Sequence, residues 1–231
     1  MKITLDASHR YHVSDESGEI KGEIWSVSQI VEKMCCNFNP TVALTRITPK
    51  RREEKYNGMT DSEILSEWDQ NANYTARCGT IMHSFIEHRL KGDKSPIPDP
   101  QTPRSITFDD TQGVIMNITH LKEFDEYFKE YTPIAIERSL FSKELMIAGT
   151  VDYVCVDSKG KNYLFDWKRR KELNYENRKK AGIQLNLYRI LIDIPIDKMF
   201  IVSIFPTNEH LIFDEIARDT DILQKISTLI R

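Results

Sequence analysis

Cysteine is scarce in this chain and badly placed for any framework. Its four cysteines are Cys35, Cys36, Cys78 and Cys155; two are adjacent and no pair has CxxC spacing. That arrangement argues for reduced, partly buried thiols rather than a disulfide scaffold, and no iron–sulfur cluster is expected. Long apolar runs are missing too. No stretch approaches the ~20 residues a membrane span needs, and Met1-Lys2-Ile3-Thr4-Leu5-Asp6 lacks the apolar core of a signal peptide. A cytoplasmic setting with no membrane partner is the expectation. Excess positive charge is also absent. The chain has 32 Lys and Arg against 35 Asp and Glu, a formal charge of −3. Binding of nucleic acid by bulk charge is therefore excluded, but binding through local basic patches is not.

What is present fits one soluble, globular unit. The chain has 231 residues, of which 40% are hydrophobic and 29% charged, with no internal repeat and no low-complexity tract. Residues 1–231 are expected to form a single domain. Residues 1–105 would form strands and a helical covering region, and 106–231 the core. Up to about Ile24 the pattern predicts short strands with a turn at Asp15-Glu16-Ser17-Gly18. A helix follows from Ser26 to Met34, started by hydroxyl caps. Pro40 and Pro49 bracket a connector or short helix, and residues 50–58, polar and basic, read as a mobile segment. Thr60 and Glu63 form a capping box for a helix reaching about Leu90, with a break or a close approach at Gly79.

Residues 92–105 read as loop and 110–131 as a third helical region. Strands are predicted over 133–142, 151–156, 162–166, 199–205 and 210–216, and helices over 177–192 and 219–230. This order predicts an α+β fold with a central mixed sheet flanked by helices.

The chemistry concentrates in one hairpin. Gly149-Thr150-Val151-Asp152 leads one strand, Asp157-Ser158-Lys159-Gly160 makes the turn, and Asp166-Trp167-Lys168 ends the returning strand. The hairpin brings Asp152 near Asp166. Two-residue spacing places Asp166 and Lys168 on one face. A carboxylate at the end of an apolar strand is costly unless paired or metal-bound. Hard oxygen donors suit Mg²⁺ or Mn²⁺, and Lys168 would steady charge on a phosphoryl group. On the hairpin alone, a strand-end ion pair of Asp166 with a neighbouring cation accounts for the same residues.

Further polar groups sit at helical spacing. His83 and Glu87 are four apart on one face, as are Gln184 and Tyr188. His83 can complete a metal shell, with Glu87 orienting it or binding through water. A surface His–Glu hydrogen bond is the plain alternative. His88 diverges from His83 and makes no zinc pair with it. Gln184 and Tyr188 can hold a catalytic group or contact phosphate, or simply line a helix edge. Glu137 opens a strand and would contact a second metal or the backbone. Three basic knots, Lys50-Arg51-Arg52, Lys168-Arg169-Arg170-Lys171 and Arg178-Lys179-Lys180, offer phosphate contacts. Trp68 or Tyr74 could stack on bases or pack in the core.

Taken together and in this order, these residues resemble the RecB-like branch of the PD-(D/E)XK nuclease superfamily. Gly79, His83 and Glu87 match its G-x-x-x-H-x-x-x-E helix, and Gly149 with Asp152 its G-x-x-D strand. Asp166 and Lys168 match its D-x-K strand, and Gln184 with Tyr188 its Q-x-x-x-Y helix. The resemblance spans about residues 68–190. Within the branch the chain is similar to the small phage exonucleases and the mitochondrial genome maintenance exonuclease, through Tyr11-His12, Trp25-Ser26-Val27-Ser28-Gln29-Ile30 and Asp166-Trp167-Lys168. It departs in having Arg169 where Thr is usual, and in lacking the flanking cysteines of the iron–sulfur subgroup.

The resemblance implies a restriction-endonuclease-like core and a DNA nuclease using one or two Mg²⁺ or Mn²⁺ ions. His83, Asp152, Asp166 and the Trp167 backbone carbonyl would be metal ligands, and Lys168 would be catalytic. Glu87, Glu137, Gln184 and Tyr188 would be supporting residues of that site. DNA ends or single strands are the implied partners, with Lys50, Arg51, Arg52, Arg169, Arg170, Lys171, Lys179 and Lys180 as contacts. If the chain is phage-encoded, its setting would be the host cytoplasm. The rival expectations are an endonuclease, structure-specific or RNA-directed enzyme with the same site, and a DNA-binding module without catalysis. No sequence feature demands an oligomer.

Overall fold

A computed structural model describes residues 2–6, 10–20, 22–35, 38–93 and 115–229. The chain begins with a small antiparallel sheet of β1 (Lys2–Leu5), β2 (Tyr11–Asp15) and β3 (Gly18–Glu19). Next come β4 (Trp25–Ser26) and helix α1 (Val27–Met34). Ser26 accepts from the Gln29 amide and Gln29 reaches back, closing a capping box. Three more helices follow: α2 (Pro40–Thr45), α3 (Pro49–Tyr56) and α4 (Asp61–Leu90). Then come α5 (Ile118–Phe128), strands β5 (Thr132–Ser142), β6 (Ile147–Val156) and β7 (Asn162–Lys168), and helix α6 (Tyr175–Leu191). Strands β8 (Lys198–Ser203) and β9 (Ile212–Ile216) and helix α7 (Ile222–Ile226) complete it. The fold is α+β with a mixed sheet between helices. Among the described residues, no helix is long and apolar enough to cross a membrane.

The main sheet runs β4-β6-β7-β8-β9, with β5 also on β6. β7 and β8 are parallel, as are β4 and β6; the other pairs are antiparallel. α1, α6 and α7 bury Ile30, Leu187 and Ile226 with Val154, Leu164 and Ile201. α4 and α5 bury Met82, Ile86 and Phe124 with Tyr153, Phe165 and Trp167. These are separate apolar clusters, one for each helical layer. The Phe165 and Trp167 rings are stacked, and Phe128 meets both edge-on.

One edge of β6 is split. β5 pairs with β6 along nearly its whole length, occupying one edge. The other edge is shared: β4 holds Ile147 and Ala148, while β7 holds residues 153 to 156. The paired stretches leave Gly149 to Asp152 between them. A carboxylate on Asp152 thus lies where two neighbouring strands part.

Four sequence expectations need revision. Residues 50–58 are mostly helix, not a mobile segment. Thr48 caps α3, Pro49 starts it, and Tyr56 is buried beneath it. The charges that suggested a loop lie on the exposed face of a short helix. α4 is unbroken at Gly79, where an added Cβ would meet nothing within 4 Å. Burial of Cys78, Met82 and Ile86 holds that turn in place. Gly79→Ala is therefore expected to stabilise the protein by about 0.5–1 kcal/mol, raising Tm by roughly 1–4 °C. Thermal unfolding followed by circular dichroism tests this.

The last helix is shorter than predicted. The Asp219 amide bonds the Asn186 side chain, and the Asp219 carboxylate accepts from the Asp221 amide, holding that stretch as a turn. The helix before β5 starts at Ile118, capped by Asn117. Residues 115–117, predicted as helix, are not helical, because the Asn117 side chain caps the helix after them; residues 110–114 and the predicted loop from residue 94 onward lie outside the described residues.

Candidate metal centre and phosphate site

Three elements converge where β6 and β7 part. From α4, His83 Nδ1 lies 3.4 Å from Glu137 Oε1 and 3.5 Å from Asp152 Oδ2. Its Nε2 lies 3.0 Å from the Trp167 carbonyl, to which it donates. Glu137 sits on β5 between the pairs Ile136–Tyr153 and Arg138–Val151, which places it beside Asp152. Its φ of 44° is unusual for a residue with a Cβ and marks local strain. Asp152 also accepts from the Trp167 amide at 2.8 Å. That bond ties the carboxylate to the backbone of the D-x-K strand.

The electrostatics describe a site rich in negative charge. Burial raises the Asp152 carboxyl pKa, nearby Asp166 raises it further, and it is pushed up to about 7. Burial alone would lower the His83 imidazole. Asp152, the Glu137 contact and Asp166 outweigh it and push His83 up to about 9. Both shifts mean that the cluster takes up protons where it can. His83 in its doubly protonated form donates from both ring nitrogens, standing in for a cation.

The donor set fits a hard divalent ion. His83, Glu137 and Asp152 each offer an atom within 4.8 Å of the others. His83 Nδ1 stands 3.4 and 3.5 Å from the two carboxylates, close enough for the three to share one ion. One imidazole and two carboxylates are donors that a divalent cation accepts.

Beside this cluster stands a second group. Lys168 Nζ pairs with Asp166 Oδ2 at 2.7 Å. Gln184 on α6 donates to Asp166 Oδ1 at 2.9 Å and lies 3.2 Å from the Tyr188 hydroxyl. Burial would lower the Lys168 pKa, but Asp166 and Asp152 keep it above its ordinary value. Tyr188 in turn packs on Gly149. A Cβ there would stand 2.6 Å from Tyr188 Cε1 and 2.8 Å from Val27 Cγ2. The G-x-x-D glycine and the Q-x-x-x-Y tyrosine are thus one packing contact. A cavity of about 230 Å³ opens against this group, lined by Ser28, Glu32, Lys168, Arg170, Lys180 and Gln184.

Not every candidate residue gathers here. Asp166 holds Lys168 and Gln184, while Glu137 joins His83 and Asp152. Glu87 pairs with Lys91. Arg169 and Lys171 lie over the Phe205 ring, and Lys179 lines a groove beside α7. Lys50 pairs with Glu54 and Arg52 with Asp61, both on the protein surface.

Ser203, which belongs to no motif in the sequence, also borders this group. It pairs in register with Lys168, is fully buried, and its hydroxyl has no hydrogen-bond partner among the described residues. The signal was a hydroxyl inside the apolar run Met199–Phe205.

No family model matches the chain, and no curated protein matches it. A solved structure described as the crystal structure of SSO0001 aligns over 92% of this chain and 78% of that one. The identity is 16% and the TM-score 0.37.

Proposed function

We propose that this protein is a metal-dependent DNA nuclease, acting on DNA ends or single strands in the cytoplasm. The observation that carries the reading is the convergence of His83, Glu137 and Asp152 from three separate elements, with Lys168 held alongside. The resemblance of the same residues to the RecB-like nucleases supports it. His83, Glu137, Asp152 and the Trp167 carbonyl would hold Mg²⁺ or Mn²⁺. When bound, such an ion polarises a phosphoryl oxygen and lowers the pKa of an attacking water.

The remaining work falls to the chain's own residues. Asp166, fixed by Gln184, positions the Lys168 ammonium. Lys168 then offers charge to the phosphoryl group as it gains negative charge. Arg170 and Lys180 face the adjoining cavity and would grip neighbouring phosphates. Burial lowers the Arg170 guanidinium pKa, with Asp166 opposing, so an incoming phosphate would relieve a cation short of partners.

End-labelled linear, circular, single-stranded and duplex DNA, each incubated with Mg²⁺, Mn²⁺ or EDTA, test this reading. Cleavage of linear single strands from an end, blocked by EDTA, is the expected result. Nicking of circles would indicate an endonuclease. Binding without cleavage of any substrate would overturn catalysis in favour of a DNA-binding module.

A further inference from the structure

A large cavity lies away from the proposed metal centre. It has a volume of about 1040 Å³ between α2, α3 and the N-terminal third of α4. That is at the upper end of the ~300–1,000 Å³ usual for small-ligand sites. Two aromatic rings line it. Phe38 is 71% exposed, and its ring lies 6.0 Å from that of Trp68, tilted by 56°. Trp68 is held from behind: its indole N–H donates to the buried Tyr56 hydroxyl at 2.9 Å.

Cations border the rings. Lys55, Arg46 and Arg51 line the same cavity. Lys55 is shared between Tyr56 and Glu67. Neither Arg46 nor Arg51 has an ion pair among the described residues. An exposed phenylalanine beside a braced tryptophan and two uncommitted guanidinium groups is poorly explained by packing. The pairing suits a flat, apolar ring attached to an anion.

We infer that this cavity is a second DNA-binding site, in which Phe38 and Trp68 take an unpaired base and Arg46 and Arg51 take the flanking phosphates. The occupant is single-stranded DNA. A duplex keeps its bases stacked inside and cannot offer one to the rings. This inference rests on the nuclease reading for the choice of DNA, but the site itself needs no metal. Tyr74, the other aromatic considered for stacking, packs against the α4–α5 cluster instead.

The test is fluorescence anisotropy of a labelled oligothymidylate of about 20 nucleotides, and of a blunt duplex, both in EDTA. Phe38→Ala is expected to weaken oligothymidylate binding about tenfold, which corresponds to about 1.4 kcal/mol. Phe38→Tyr should restore it. Arg46→Gln with Arg51→Gln should weaken it and flatten its salt dependence by roughly two phosphate contacts. Duplex binding should change by less than threefold, as estimated from the absence of stacking. Circular dichroism confirms that each variant folds. No binding by the wild type, or unchanged binding in Phe38→Ala and the double arginine variant, overturns the inference. The same preparations assayed with Mn²⁺ report separately on catalysis. Metal-free binding that depends on Phe38, without cleavage, would refute the nuclease reading while leaving this site standing.

Discussion

Asp152→Asn and Lys168→Ala are each expected to lower DNA cleavage by at least about a hundredfold while leaving the protein folded. The variants act differently. Asparagine keeps an oxygen to accept from the Trp167 amide, so the local backbone contact survives. It removes a buried carboxylate whose burial raises its pKa. Without metal, Asp152→Asn should therefore match or exceed the wild type in Tm, the mark of a residue kept for function at a cost in stability. Lys168→Ala leaves His83, Glu137 and Asp152 in place and should still bind Mn²⁺. It also strips Asp166 of its 2.7 Å partner, so some loss of stability accompanies the loss of cleavage. Rates on end-labelled DNA and melting curves on the same samples check both. Wild-type rates in either folded variant would remove that residue from the site.

Gly149→Ala should destabilise the protein by about 1–3 kcal/mol, a Tm decrease of roughly 2–12 °C. The added Cβ would stand 2.6 and 2.8 Å from Tyr188 and Val27, neither the far end of a flexible chain. The ring and α1 must then move, and Gln184 and Asp166 with them. A double-mutant cycle isolates the contact. Tyr188→Ala makes room, so the Gly149→Ala penalty should shrink in that background, with a coupling of about 0.5–3 kcal/mol. Strictly additive effects in thermal or urea unfolding would show that the glycine serves some other purpose.

Much of this site was legible in the sequence because its parts lie at fixed short spacings. Asp166 and Lys168 share a strand face, Gln184 and Tyr188 share a helix face, and the turn at 157–160 dictates the hairpin. The hydroxyl cap at Ser26 and the capping box at Thr60 placed two helix starts correctly. Long-range placement was less legible. Glu137 joins His83 because β5 pairs with the opposite edge of β6, and no local pattern carries that register. Glu87 sits at ideal spacing from His83, yet Lys91 lies four residues beyond it and pairs with it. Gly79 suggested a break because glycine weakens a helix, but burial on both sides of it decided otherwise. The α3 helix was hidden by its charges; Thr48-Pro49 was the usable start signal.

Catalysis as proposed requires that His83, Glu137 and Asp152 together hold a divalent ion. Isothermal titration of Mn²⁺ into metal-free wild-type protein, His83→Ala and Asp152→Asn tests it without reference to cleavage. Saturable binding of one or two ions is predicted for the wild type, weakened at least about tenfold in each variant. Absence of saturable binding, or equal affinity in all three proteins, would contradict the account.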